Sequence, residues 1–243
     1  MRLVRPLLSL ATAALAFAAA PAAACSVVAG YRPPTNLELA AGADAIVLGQ
    51  VVGGVDPGVT EGEIAVHPLA AIKGLMPGQD FALRGMMLGG GDPSDPLELA
   101  AAHPDALAGA CIRRTFQQGA TVLLFLDRRG GEWVPAGGPF SRWAEDVPDD
   151  NAPWVQLARF YARIASLEEG QRTELLEAER DALLARADEP AAQAMAADLE
   201  RTLHPPPPAL AAQAPPTDDG FYKPGDVTAV QRALDAMRAD RED

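Results

Sequence analysis

Five short apolar segments, separated by turns rich in glycine and proline, limit what the first part of this 243-residue chain can fold into. The segments favour β-branched and aromatic residues, which is typical of strands. ATVLLFL is the most apolar of them and predicts a central strand. Five such strands predict a small β-barrel or a β-sandwich. The predicted strands are Asp44–Val52, Ile64–Ile72, Asp80–Leu88, Ala120–Leu126 and Glu132–Pro135.

The pattern changes to helical spacing in the second part, so the fold class is predicted to be α+β. Asn151 is a candidate N-cap with Pro153 in the first turn, and apolar residues recur at helical spacing as far as Ala165. Gly170 is expected to break this run. Two further helices are predicted at Gln171–Ala187 and Pro190–His204.

Two shorter signals complete this organisation. Thr35 or Asn36 is expected to cap a short helix, Leu37–Ala41, ahead of the first strand. Leucines 175, 176, 183 and 184 are expected on one face of the Gln171–Ala187 helix. The predicted divisions are a signal peptide 1–24, a β domain 25–148, a helical extension 149–204, a proline-rich linker 205–225 and an acidic C-terminal helix or tail 226–243.

The N-terminus has the three parts of a secretory signal peptide. Arg2 and Arg5 precede an apolar run, which is too short to span a membrane, and Ala22 and Ala24 form a small-residue cleavage site. Cleavage would begin the mature chain at Cys25. The protein is therefore predicted to be exported, either secreted or periplasmic, and no later stretch predicts a transmembrane segment.

Charge excludes one class of partner. The formal net charge is −13 before cleavage and −15 once Arg2 and Arg5 are removed. Nucleic-acid binding depends on neutralising phosphates with Lys and Arg, so nucleic acid is not expected as a partner.

The chain contains no recognisable catalytic or cofactor-binding motif. Its three histidines, His67, His103 and His204, form no pair at metal-ligand spacing. The triplet Gly89–Gly91 with Asp92 and Asp95 is best explained as a flexible turn rather than a calcium loop. Acidic pairs such as Glu145-Asp146 are expected in polar, turn-like or helix-end surroundings. Trp133, Phe140, Trp143 and Trp154 are expected to be packed aromatics. We expect neither enzymatic activity nor a cofactor or metal of its own.

The two cysteines, Cys25 and Cys111, have competing uses. In an exported chain they are expected to form one disulfide, closing a loop of 86 positions. Alternatively, Cys25 would carry a lipid anchor after cleavage. Ala22 stands at the −3 position, where lipoprotein signals usually have leucine, which favours the disulfide.

Several segments in sequence order resemble the netrin-like module, and specifically the tissue inhibitors of metalloproteinases. The mature chain would begin CSVV, a short helix leads into ADAIVLGQVV, and the second strand ends in AIKGLMPG. ACIRRTFQQGATVLLFLD and GGEWVPAGGPFSRW are similar to the following cysteine, central strand and exit. The composition is typical of a bacterial member. The resemblance implies a five-stranded OB-type barrel over about half of the chain, and it implies the Cys25–Cys111 bridge.

The family resemblance also implies a candidate inhibitory edge. In these inhibitors the amine and carbonyl of the first residue chelate a protease zinc, and the second residue enters the specificity pocket. Those positions match Cys25 and Ser26, followed here by Val27 and Val28. The family's second N-terminal cysteine is replaced by Val27, and its partner is missing near Ala136 and Gly137.

Three functional hypotheses follow, in order of preference. The first is a non-catalytic exported module that binds a protein partner. The second is inhibition of a zinc metalloprotease through Cys25, and the third is a lipoprotein anchored at the same residue.

Overall fold

The computed structural model describes residues 30–54, 62–87 and 93–207. The predicted signal peptide with its cleavage residues Ala22 and Ala24, the edge Cys25–Val28 and the turn Gly89–Asp92 lie outside these ranges. The same holds for all residues from Pro208 onward, including the predicted C-terminal helix. These features therefore remain predictions.

Each of the five predicted strand segments contains a strand, and the coarse α+β class is confirmed. The third segment is divided at Gly85, where a Cβ atom would stand 3.0 Å from the Arg114 carbonyl oxygen. Two further strands of two and three residues are too short to show a pattern in the sequence. The strands are β1 Ala45–Gly54, β2 Glu63–Lys73, β3 Phe81–Arg84, β4 Met86–Met87, β5 Thr115–Phe116, β6 Thr121–Arg129, β7 Glu132–Pro135 and β8 Ala144–Asp146.

Four α-helices and one short wide turn of helix, Ala106–Ala110, accompany the strands in the described residues. Thr35 is the N-cap of the first helix, because its hydroxyl accepts from the Glu38 N–H at 3.2 Å and the Glu38 carboxylate accepts from the Thr35 N–H at 2.8 Å. None of the described helices is long and apolar enough to cross a membrane. The helices are α1 Asn36–Gly42, α2 Pro153–Ile164, α3 Glu169–Leu184 and α4 Pro190–Leu203.

Three sequence-based expectations about the helices were wrong. Asn151 is not the N-cap of α2, because Ala152 holds that position directly before Pro153. Gly170 lies inside the first turn of α3 rather than between two helices. The four leucines of α3 do not share a face: the pair seven residues apart, 176 and 183, is buried, whereas residues 175 and 184 are 42% and 49% exposed.

The strands form one antiparallel sheet in the order β3-β2-β1-β6-β7, and β8 pairs with β6 beyond the end of β7. The small strands β4 and β5 form a separate parallel pair. The two outer strands, β3 and β7, lie in contact with each other. Strand pairing among the described residues still leaves both of these edges open, so the sheet is not shown to be a closed barrel.

Both faces of the central strands are buried, which explains their uninterrupted apolar sequences. One face of β1 and β6, including Val47 and Leu124, packs into a core with Phe116 and Trp143. The opposite face packs against α1, α2 and α4. The helices therefore cover the sheet and share a core with it.

The late aromatic residues do not form a single cluster. Trp143 is completely buried in the first core, where Phe116 meets it edge-on with ring centroids 5.8 Å apart. Trp154 belongs to the helix-facing core and meets Phe125 in the same manner at 6.2 Å. Trp133 and Phe140 are only partly buried. Packing, as expected from the sequence, accounts for Trp143 and Trp154, but on opposite sides of the sheet.

Candidate functional site at the Cys111 edge

Two hydrogen bonds bring the start of the described chain beside Cys111. The Tyr31 hydroxyl donates to the Pro139 carbonyl oxygen at 2.5 Å. The next residue, Phe140, donates its backbone N–H to the Cys111 carbonyl oxygen, also at 2.5 Å. We call the surface formed by Tyr31, the wide turn 106–111 and the turn 137–140 the Cys111 edge.

The backbone of this edge is held in an uncommon conformation. Cys111 and Phe140 have φ values of 66° and 56°, and they are the two non-glycine residues of positive φ among the described residues. A positive φ is costly for a residue with a side chain and persists where the surroundings impose it. Since these two residues are hydrogen-bonded to each other, the strain is concentrated at one point of the surface.

Gly137 is required beside this point for two reasons. Its φ is +83°, and a Cβ atom there would stand 2.6 Å from Leu39 Cδ1 and 2.9 Å from Ser141 Cβ. Its third close neighbour is Pro34, at 3.1 Å. The turn 137–140 is therefore packed tightly against the segment that continues from the N-terminus.

Alanine at Gly137 is expected to cost about 2 kcal/mol or more of folding free energy, because it adds both a disfavoured φ and a steric overlap. Gly138 provides a matched control. Its φ is +77°, but the nearest atom to an added Cβ is the Tyr31 hydroxyl oxygen, 3.5 Å away. Gly138→Ala should cost about 1 kcal/mol. Equal urea midpoints for the two variants would contradict the close packing at Gly137.

A buried network of charged side chains lies beneath the edge. The Arg113 side chain is 3% exposed and donates from one terminal nitrogen to both carboxylate oxygens of Asp146, at 3.0 and 2.8 Å. Its Nε donates to the Thr115 carbonyl oxygen at 3.1 Å. Ser94 joins the network by donating its hydroxyl to Glu145 at 2.6 Å and its N–H to Asp146 at 2.9 Å.

Glu145 and Arg142 extend the network toward the helices. Glu145 is completely buried and accepts from Arg142 Nε at 2.8 Å. The Arg142 guanidinium also donates to the Glu98 carbonyl oxygen and stacks over the Trp154 ring, 4.7 Å from its centroid. Buried charges are tolerated when they are paired in this way. The network therefore ties strand β8, and the loops before it, to the helix-facing core.

The loop that carries Cys111 is fixed by Asp105 and His103. The Asp105 carboxylate accepts from the backbone N–H groups of Arg114 and Thr115, at 2.5 and 2.8 Å. His103 is buried, and its Nδ1 accepts from the Asp105 N–H at 3.2 Å, which places the proton of the neutral ring on Nε2. Nε2 has no hydrogen-bond partner among the described residues.

Burial, followed by the positive charge of Arg113, lowers the pKa of His103, and the carboxylates of Glu145, Asp146 and Asp105 oppose part of this shift. His103 therefore takes up a proton near pH 6.5 in the unfolded chain but only at a lower pH in the folded chain. The free energy of unfolding is highest above pH 6.5 and falls as the pH is lowered through that value.

Replacing His103 with glutamine, which does not titrate, is expected to flatten the dependence of stability on pH below pH 6.5. The difference from the wild type should not exceed about 1.4 kcal/mol per pH unit, the limit for one proton. Urea midpoints at pH 7.5, 6.5 and 5.5 provide the measurement. Parallel pH profiles for the two proteins would show that His103 titrates normally in the folded state.

The structure describes only some of the site residues that the sequence predicts. Cys111 lies on the edge just described, whereas Cys25, Ser26, Val27 and Val28 lie outside the described residues. Gly137, which the family resemblance places near a cysteine absent from this chain, does lie beside the N-terminal segment, because a Cβ atom added there would be 3.1 Å from Pro34. His67 is exposed and 2.7 Å from Asp80, remote in sequence from the Cys111 edge.

One expectation about the acidic pairs was wrong. Glu145 and Asp146 are not in a polar, turn-like setting but on strand β8, inside the charged network. Sequence reasoning also missed Arg113, Arg142 and Ser94. The partners of Arg113 and Ser94 are 33 and 51 positions away. Arg142 and Glu145 are three positions apart, but no local pattern shows that they are buried. The described residues contain no group of three or more His, Cys, Asp and Glu side chains that could hold a metal ion.

Comparison with known proteins adds no family to this picture. No protein-family model matches the chain, and no similar protein was found among curated sequences.

Proposed function

We propose that this chain is an exported, non-catalytic module that binds a protein partner through the Cys111 edge. The observation that carries the proposal is the hydrogen bond between Cys111 and Phe140, two non-glycine residues held at positive φ. Strained backbone on a well-supported scaffold is a feature of binding and catalytic surfaces. Among the described residues this strained backbone is not accompanied by a catalytic constellation, so we favour a binding surface over an active site.

An exposed apolar side chain supports this assignment. Leu107 stands on the wide turn that ends at Cys111, and 64% of its surface is exposed. The turn beneath it is fixed by the two backbone bonds to Asp105. An apolar group held on a rigid support loses little conformational entropy when a partner protein covers it, which favours binding there.

The proposal includes an OB-type barrel as the scaffold. It is supported by the antiparallel order β3-β2-β1-β6-β7 and by the contact between the outer strands β3 and β7. A separate core on one face of the sheet, which includes the completely buried Trp143, also supports it.

The proposed Cys25–Cys111 bridge agrees with the reach of the chain. Tyr31 is bonded to Pro139, next to the residue that is bonded to Cys111. Cys25 precedes Tyr31 by six positions, which span at most about 20 Å when extended. A bridge would therefore add the mature N-terminus to the Cys111 edge, and it would exclude a lipid on the Cys25 sulfur.

Inhibition of a zinc metalloprotease is the second candidate, and the same placement favours it. A bridge at Cys111 would hold the free Cys25 amine at the rim of the edge, where it can replace the water at the open position of a catalytic zinc. Adding one residue before Cys25 should abolish inhibition of a susceptible zinc protease. Inhibition that survives the extension would exclude chelation by the amine.

Site-specific photocrosslinking tests the binding surface. A photoreactive residue at position 107 of the exported protein should give one discrete adduct in the producing cells. The control position is 175, which is 42% exposed on α3 and lies outside the Cys111 edge. The same adduct at both positions, or no adduct at position 107, would contradict the proposed surface.

A further inference from the structure

A cavity separates the N-terminal segment from the end of α4. Its volume is about 200 Å³, and its lining is largely apolar. Tyr31, Pro33 and Pro34 of the N-terminal segment and Pro206 and Pro207 beyond α4 all line it. Leu99 and Ala100 line it as well. A groove lined by an aromatic side chain is the kind that takes extended, proline-rich segments.

The cavity is preformed because its base is fixed by a buried carboxylate. Asp198 is 3% exposed and accepts from Asn36 Nδ2 at 2.9 Å and from the Tyr161 hydroxyl at 2.7 Å. Arg201 donates to the same carboxylate at 3.1 Å. These bonds join α1, α2 and α4 around the base of the cavity. The Tyr31 ring is fixed separately through its hydroxyl bond to Pro139.

The part of the chain that follows Pro207 begins next to the cavity. The described residues end at Pro207, which lines the cavity, and 36 residues follow it in the sequence. The first nine, residues 208–216, read PALAAQAPP and carry no charge. We call them the tail segment. Leu210 is three positions beyond Pro207, a distance of about 10 Å at full extension.

We infer that the tail segment docks in this cavity, with Leu210 against Tyr31 and the prolines that line it. Its prolines favour an extended backbone before binding, so docking orders few additional residues. Its attachment at Pro207 makes the contact intramolecular, with an effective concentration in the millimolar range for a short linker. Because the tail segment is uncharged, the negative charge of the chain does not oppose its docking.

The test compares two forms of the protein for binding of a fluorescent peptide with the sequence of residues 208–216. One is the full chain, and the other ends at Pro207. The shortened form retains every residue of the two cores, which extend from Leu37 to Leu199. Fluorescence anisotropy should show binding to the shortened form, and the attached segment should make binding to the full chain about tenfold weaker.

A matched pair of tryptophan substitutions locates the contact. Ala100→Trp introduces a large side chain into the cavity lining and should reduce peptide binding to the shortened form at least tenfold. Ala101→Trp is the control, because Ala101 is also exposed but is not among the residues that line the cavity. Circular dichroism checks that both variants are folded.

Three outcomes would overturn the inference. The first is no binding of the peptide to the shortened form at about 1 mM, the concentration that the tether provides. The second is equal binding to both forms, and the third is equal loss with the two tryptophan variants. None of these outcomes bears on the Cys111 edge, so the proposed function is tested independently by crosslinking at position 107.

Discussion

Replacing Cys111 with serine is expected to lower the free energy of unfolding by about 4–5 kcal/mol, because it would open the proposed bridge to Cys25. That bridge would close a loop of 86 positions, and in the chain-entropy model the stabilisation grows with the logarithm of loop length. The structure adds a local reason for a large effect. Cys111 holds a positive φ of 66° and accepts the Phe140 hydrogen bond, so loosening this point also loosens the turn that anchors Tyr31.

Urea unfolding of the exported protein measures this effect, and three comparisons isolate the bridge. Cys25→Ser should destabilise the protein as much as Cys111→Ser does, and the double variant should add little to either. Reductant should lower the midpoint of the wild type but leave the variants unchanged. If Cys25→Ser has no effect on stability, the two sulfur atoms are not joined.

Replacing Arg113 with methionine is expected to cost about 3–5 kcal/mol, the range for removing one partner of a buried ion pair. The Arg113 side chain is 3% exposed and that of Asp146 is 14% exposed, so little water would be available to the carboxylate left behind. The substitution also removes the donor to the Thr115 carbonyl oxygen and the guanidinium that stacks on Phe116. The segment that follows Cys111 would therefore lose these contacts together with the ion pair.

An exposed arginine provides the control for this prediction. Arg129 pairs with Asp127 at 3.1 Å, but its side chain is 70% exposed, so Arg129→Met should change stability by less than about 0.5 kcal/mol. The double variant Arg113→Met/Asp146→Leu should be less destabilised than the sum of its two single variants, because no unpaired charge remains buried. Similar effects for Arg113→Met and Arg129→Met would show that the network contributes no more than a surface pair.

The sheet and helices could be predicted from the sequence because their signals are local. The apolar runs of β1 and β6 are buried on both faces, and Pro190 begins α4 as expected. The α1 cap was confirmed at Thr35, where Glu38 three residues later completes a capping box. The failures have local causes too: Gly170 is tolerated in the exposed first turn of α3, and β5 and β8 are too short to show alternation.

The site was less predictable because it depends on contacts between distant elements. Arg113 and Asp146 are 33 positions apart, and nothing near either residue indicates that it is buried. The partner of Tyr31 is 108 positions away. Glycines 137 and 138 signal a turn in the sequence, but only the packing against Leu39 and Pro34 shows why position 137 excludes a side chain.

The intact mass of the mature exported protein, measured with and without reductant, shows directly whether Cys25 is bridged to Cys111. We expect a polypeptide that begins at Cys25, is two hydrogens lighter than its reduced form and carries no added group. That result would place a free amine and a bridged sulfur at the Cys111 edge. A mass that includes a lipid on Cys25, or one that reductant does not change, would contradict it.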